Sequence, residues 1–167
     1  MKHYTSESFA LQQSVGFLLT KARNLITAEV DTALKDLDVT GSQMGIFLAM
    51  QRGLASTPFE LSKMLSVDTG LMTRMLDKLE TKGLLERSRS LDDRRVVNLV
   101  LTKKGEAIAA EIPNIAPEVL NARLSHFTKQ EFEEFRRLLN KFIGVRAPLR
   151  APFFKHESDE SENEKAD

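Results

Sequence analysis

From Leu71 to Leu79 the apolar side chains recur every three or four residues, and in the strand-like stretch beyond Gly83 they alternate, with Val97, Leu99 and Leu101 two apart. A period near 3.6 describes a helix with one buried face and a period of 2 describes a half-buried strand, so the chain must change element at Gly83. Asp68 supplies a carboxylate suited to a helix N-cap, and Gly83 suits a helix C-terminus. Together they predict a helix over 69–82. Leu71, Met72, Met75, Leu76 and Leu79 are expected inward, with Thr69, Thr73, Arg74, Asp77 and Lys78 outward. Beyond the glycine, 84–87 and 97–101 read as strands, with Val97, Leu99 and Leu101 on one face. The run 88–95 between them is too polar to bury and predicts a hairpin with a charged tip.

Three other helix starts share one signature. Thr40 to Gln43, Thr57 to Glu60 and Thr128 to Glu131 each place a hydroxyl three residues before a Gln or Glu. Such a pair can satisfy two orphan backbone N–H groups reciprocally. Helices are therefore expected over 42–52, 58–65 and 129–143, with Pro58 in a tolerated first-turn position. Leu11, Val15, Leu18, Ala22, Leu25, Ala33 and Leu37 extend a helical pattern over 8–37, broken only at Glu29. A helix of that length would span roughly 45 Å, more than a small domain covers on its own. Residues 103–126 are again helical in pattern, but Pro113 and Pro117 predict a kink or an interruption.

The order helix, helix, helix, hairpin is that of a winged helix-turn-helix, and the fold class expected is mainly α with a small β-hairpin wing. The third helix of such a domain enters the major groove of DNA, while the hairpin reaches along the backbone. Charge agrees with that placement. The formal net charge is zero, yet residues 69–105 carry nine Lys and Arg against five acids, whereas 155–167 carry six acids against Lys155 and Lys165. A concentrated basic segment suits a polyanion, or is simply a solvated face.

Other function classes find no support. The chain has no cysteine, which excludes disulfides, thiolate metal sites and thiol redox sensing. Its three histidines show no metal-ligand spacing. Neither a glycine-rich phosphate loop nor a nucleophile elbow occurs, so neither an enzyme nor a cofactor is expected. At 167 residues, 41% apolar and 29% charged, the chain is the size and composition of one globular domain with some extension. It has no signal-like N-terminus and no run near the roughly 20 apolar residues of a membrane span. A cytoplasmic protein is expected.

The stretch Thr73-Arg-Met-Leu-Asp-Lys-Leu-Glu80, then Gly83-Leu-Leu-Glu-Arg87, Asp93-Arg-Arg95 and Leu101-Thr-Lys-Lys-Gly105 resembles the MarR (multiple antibiotic resistance regulator) family. The resemblance runs from the first helix to about residue 145. It implies a homodimeric transcriptional regulator whose first and last two helices pair the subunits, and a repressor is the expectation, with an activator as the other outcome that operator position allows. On that basis 1–37 and 106–145 form a helical dimerisation region and 38–105 the winged helix-turn-helix domain; composition, not the resemblance, makes 146–167 an extended or disordered acidic tail. The resemblance further implies a pseudo-palindromic operator, released when a small aromatic acid or phenolic effector enters a crevice between the two regions. A winged-helix module that binds a protein instead of DNA is the alternative.

Thr69, Gly70, Thr73, Arg74, Lys78, Arg89, Arg94, Arg95 and Lys103 are the candidate DNA contacts. Arg94 and Arg95 either pair with Asp92 and Asp93 or, as the resemblance implies, enter the minor groove. Arg74 either touches DNA or buttresses the wing. Gly70 stands where the family more often has serine, which removes a hydroxyl but allows closer backbone approach. Phe17, Arg23, Met44, Phe47 and Arg87 are the candidate ligand residues implied by the resemblance, with Thr73 beside them; the apolar ones are equally readable as core. The acidic tail is either a solvated appendage or a mimic of DNA.

Overall fold

The computed structural model describes residues 2–89 and 96–144. Two compact units divide the chain, the first ending at Arg123 and the second beginning at Leu124. Arg94, Arg95 and the acidic residues of 155–167 lie outside the described residues.

The first unit begins with a single 3-10 turn, Leu11–Gln13, followed by α1 (Val15–Ala33). The expected helix over 8–37 is thus cut to 19 residues, about 28 Å. Ser14 is the reason at one end. Its backbone is extended, its Oγ accepts the Phe17 N–H at 3.3 Å and it donates to the Leu11 carbonyl at 2.7 Å, so it caps α1 and closes the preceding turn. At the other end Leu34 leaves helical geometry, a second 3-10 turn spans Lys35–Leu37, and Asp38 turns left-handed at φ 55°.

Only part of the apolar surface of α1 turns inward. Val30 and Leu34 are buried and Ile26 packs against the core, whereas Val15, Leu18 and Leu25 stay exposed. Glu29, which breaks the stripe in sequence, pairs with Arg123 of the fifth helix.

The next three helices start and stop close to expectation: α2 (Gly41–Gln51), α3 (Pro58–Met64) and α4 (Thr69–Thr81). The cap of α3 shows the chemistry. Glu60 accepts the Ser56 N–H at 2.8 Å and the Thr57 N–H at 3.0 Å, while Thr57 Oγ1 accepts the Glu60 N–H at 3.2 Å. The Ser56 backbone N–H, and after it the Thr57 hydroxyl, holds the Glu60 carboxyl below its ordinary value.

Strands β1 (Leu85–Arg89) and β2 (Val97–Leu101) pair antiparallel, with Leu85 opposite Leu101, Arg87 opposite Leu99 and Arg89 opposite Val97. On its other edge β2 is tied to the loop before α3, where Leu99 N–H donates to the Ser56 carbonyl at 2.7 Å. The hairpin base is therefore anchored to the helices on two sides.

The core lies under all these elements. Phe47, Ile46, Leu61, Met72, Leu76, Leu79, Leu84 and Leu85 are fully buried, joined by Ile108, Ala109 and Ile112 from α5 (Lys103–Leu124). Each such large side chain contributes about 1.5–3 kcal/mol on burial. Helix α5 runs through Pro113 and Pro117 as one element, so the expected interruption does not occur. Each proline removes a backbone donor. Core contacts of Ile108, Ala109 and Ile112 before them, and of Ile115, Ala116 and Val119 around and after them, hold the helix together across the gap. No helix among the described residues is long and apolar enough to cross a membrane.

In the second unit, Thr128 and Glu131 close the expected capping box at the start of α6 (Lys129–Phe142). The Thr128 backbone N–H, at 2.8 Å from the Glu131 carboxylate, lowers that carboxyl's pKa. Phe132, Phe135, Leu138 and Phe142 line one side of α6, yet no residue of the helix is buried.

Candidate nucleic-acid interface

Helix α4 follows α3 after a short turn in which Ser66 is left-handed, φ 51°. Asp68 then caps α4, its Oδ1 accepting the Gly70 N–H at 2.9 Å and the Leu71 N–H at 3.1 Å. Met72, Met75, Leu76 and Leu79 face the core as expected. Leu71 does not. It is 45% exposed, because a residue one position before Met72 is turned about 100° around the helix axis and falls at the edge of the buried stripe.

The outward face of α4 carries Thr69, Gly70, Thr73, Arg74 and Lys78, all exposed. Thr73 donates its hydroxyl hydrogen to the Thr69 carbonyl at 2.9 Å, which leaves the oxygen able to accept. The two acids of α4 that follow are neutralised from the wing. Arg87 of β1 reaches Asp77 Oδ1 at 2.7 Å and Glu80 Oε2 at 2.5 Å. This clamp was not anticipated from sequence, although Asp77 and Glu80 stand three apart, the spacing that puts two helix side chains on one face.

Lys82 pairs with Asp38 at 2.9 Å. Arg74, Lys78, Arg89 and Lys103 make no ion pair among the described residues and are exposed. Arg89 ends β1, and Lys103 opens α5 one residue after Thr102 leaves β2. Among the described residues Arg87 and Lys82 pair with carboxylates of the chain itself, while Arg74 and Lys78 on the outward face of α4, Arg89 at the far end of β1 and Lys103 at the start of α5 are exposed. Such side chains exchange condensed counterions for contacts when they meet phosphates.

The candidate ligand residues are more scattered in character. Phe47 is wholly within the core. Phe17 and Met44 are half-buried, and Arg23 is exposed with its Nη2 3.5 Å from Asn24 Oδ1. Arg87 is the one whose geometry couples two parts of the domain, since it ties β1 to α4.

Comparison with known proteins places this geometry. A model of the MarR family matches residues 48–97, from within α2 to the start of β2. The multiple antibiotic resistance protein MarR of Escherichia coli (strain K12) is 36% identical over 111 residues, which cover 66% of this chain and 77% of that protein. The chain belongs to the MarR family. The crystal structure of a mutant MarR from E. coli complexed with operator DNA superposes with a TM-score of 0.71 at 31% identity, covering 81% of this chain and 99% of that one. The S. aureus MepR–DNA complex shares the fold, with a TM-score of 0.72 at 21% identity over 78% of this chain and 96% of that one. As a MarR-family winged-helix protein, the chain is a DNA-binding transcription regulator and not an enzyme.

Proposed function

We propose that this MarR-family regulator is a homodimeric, cytoplasmic repressor that holds a pseudo-palindromic operator until a small aromatic acid or phenol releases it. The observation that carries the DNA half of this reading is the outward face of α4. Thr69 and Gly70 stand in its first turn, Thr73, Arg74 and Lys78 follow on the next turns, and its acids are occupied by Arg87. Two such helices enter successive major grooves about 34 Å apart. The wing residues Arg94 and Arg95 follow the backbone into the adjacent minor groove, where negative potential favours arginine. Subunits pair through the outer stripe of α1 and the apolar side of α6, both exposed in the single chain.

Release works through the clamp. The carboxylate of an aromatic acid, or the oxygen of a phenol, competes with Asp77 and Glu80 for Arg87 and loosens the tie between α4 and β1. It shifts the population away from the DNA-binding form only by its differential affinity for the two states.

The test is a salt titration with duplexes that the protein selects from a random-sequence pool. Lys78→Ala is expected to weaken all duplexes alike and to lower the slope of log K against log salt by about 1 for each phosphate contact removed. Fluorescence anisotropy at several salt concentrations measures both. Unchanged affinity with an unchanged slope contradicts the assignment of this face to DNA, and a failure to retain any duplex at low salt favours a protein partner instead.

A further inference from the structure

Leu71 is the one large apolar side chain of α4 that the core does not take. It stands in the first turn, three residues before Arg74 and seven before Lys78, a spacing that sets the three along one stripe of the helix surface. An apolar tip therefore leads, and two cations follow. Beside it, Gly70 leaves the outer backbone of the first turn bare. A Cβ there would meet only the capping Asp68 Oδ1, at 3.1 Å, so no core contact calls for glycine, and helix propensity favours alanine.

Exposed leucines are ordinary on protein surfaces, but this one lies on a face that is dehydrated when a duplex docks. In the major groove the base edges present hydrogen-bond donors and acceptors, which a leucine cannot satisfy, and one apolar group, the C5-methyl of thymine. Resting on the reading that α4 enters the operator's major groove, we propose that Leu71 is a specificity-determining residue that reads one thymine methyl in each half-site. Gly70 allows the first turn to come close enough for that contact, and Arg74 and Lys78 fix its register.

The experiment uses the full chain and a duplex it selects from a random-sequence pool. Each thymine is replaced in turn by deoxyuridine, which deletes only the methyl group. At one thymine per half-site the wild-type protein is expected to lose about fourfold in affinity, the value of one apolar carbon removed from water. Leu71→Ala, matched to wild type by thermal melting, is expected to bind the thymine and uracil duplexes alike. A wild-type protein indifferent to uracil at every position overturns the proposal. So does a Leu71→Ala protein that keeps the wild-type discrimination. A protein that retains no duplex at all overturns the groove-docking reading beneath it, an outcome distinct from binding that ignores the methyl groups.

Discussion

Gly105→Ala is expected to destabilise the protein by about 2–3 kcal/mol, at the upper end of what overpacking a close contact costs. Helix propensity alone points the other way, since alanine in place of glycine in a helix gains up to about 1 kcal/mol. Sterics decide the sign. A Cβ at position 105 would stand 1.9 Å from the Leu84 carbonyl oxygen, a backbone atom that has no rotamer by which to retreat. The same junction is held by Thr102, whose Oγ1 donates to the Gly83 carbonyl at 2.7 Å and accepts the Gly105 N–H at 3.1 Å. Its N–H meets the Leu84 carbonyl at 3.2 Å. Making room for a methyl group moves the first turn of α5 off the hairpin base and strains these bonds, together with the burial of Ile108, Ala109 and Ile112. Urea unfolding followed by circular dichroism measures the effect. A variant as stable as wild type would contradict the close approach of α5 to the hairpin base.

The second large effect concerns pairing. Leu18→Glu combined with Leu138→Glu is expected to give a folded single subunit whose operator affinity falls by about 10²–10⁴-fold, the advantage lost when a second linked contact disappears. Leu18 is 52% exposed and Leu138 47% exposed in the single chain, so a charge at either position costs the isolated fold little. In a dimer joined through α1 and α6 the same carboxylates would be buried without partners, which is costly. Sedimentation velocity reports the subunit count and anisotropy the affinity. A double variant that still sediments as a dimer and binds operator as tightly as wild type would remove these faces from the interface.

The elements most legible in the sequence are those whose signals are local. A hydroxyl and a carboxyl or amide three residues apart mark the starts of α2, α3 and α6, and the change of period at Gly83, where φ is 66°, separates α4 from the hairpin. These depend on neighbours within one turn, so the chain order reveals them. What depends on the third dimension does not show. Ser14 leaves the apolar spacing of 8–37 undisturbed in sequence, yet it is the cap that shortens α1. Leu71 fits the three-and-four spacing of its neighbours, yet its angular position leaves it outside the core. Pro113 and Pro117 carry a local signal against helix, and the tertiary contacts of α5 override it. Among the candidate site residues, the outward position of Arg74 and Lys78 follows from helical periodicity alone. The role of Arg87 does not, because its partners Asp77 and Glu80 sit on a different element.

Two copies of this domain are expected to grip one duplex at a separation fixed by the helical repeat of DNA. Sedimentation of the full chain with a selected duplex, and with the same duplex lengthened by about five base pairs between its half-sites, tests it directly. Two chains on the first duplex are expected, with the tight complex lost on the second, because half a helical turn carries one half-site to the opposite face. One chain per duplex, held equally well at either spacing, would contradict it.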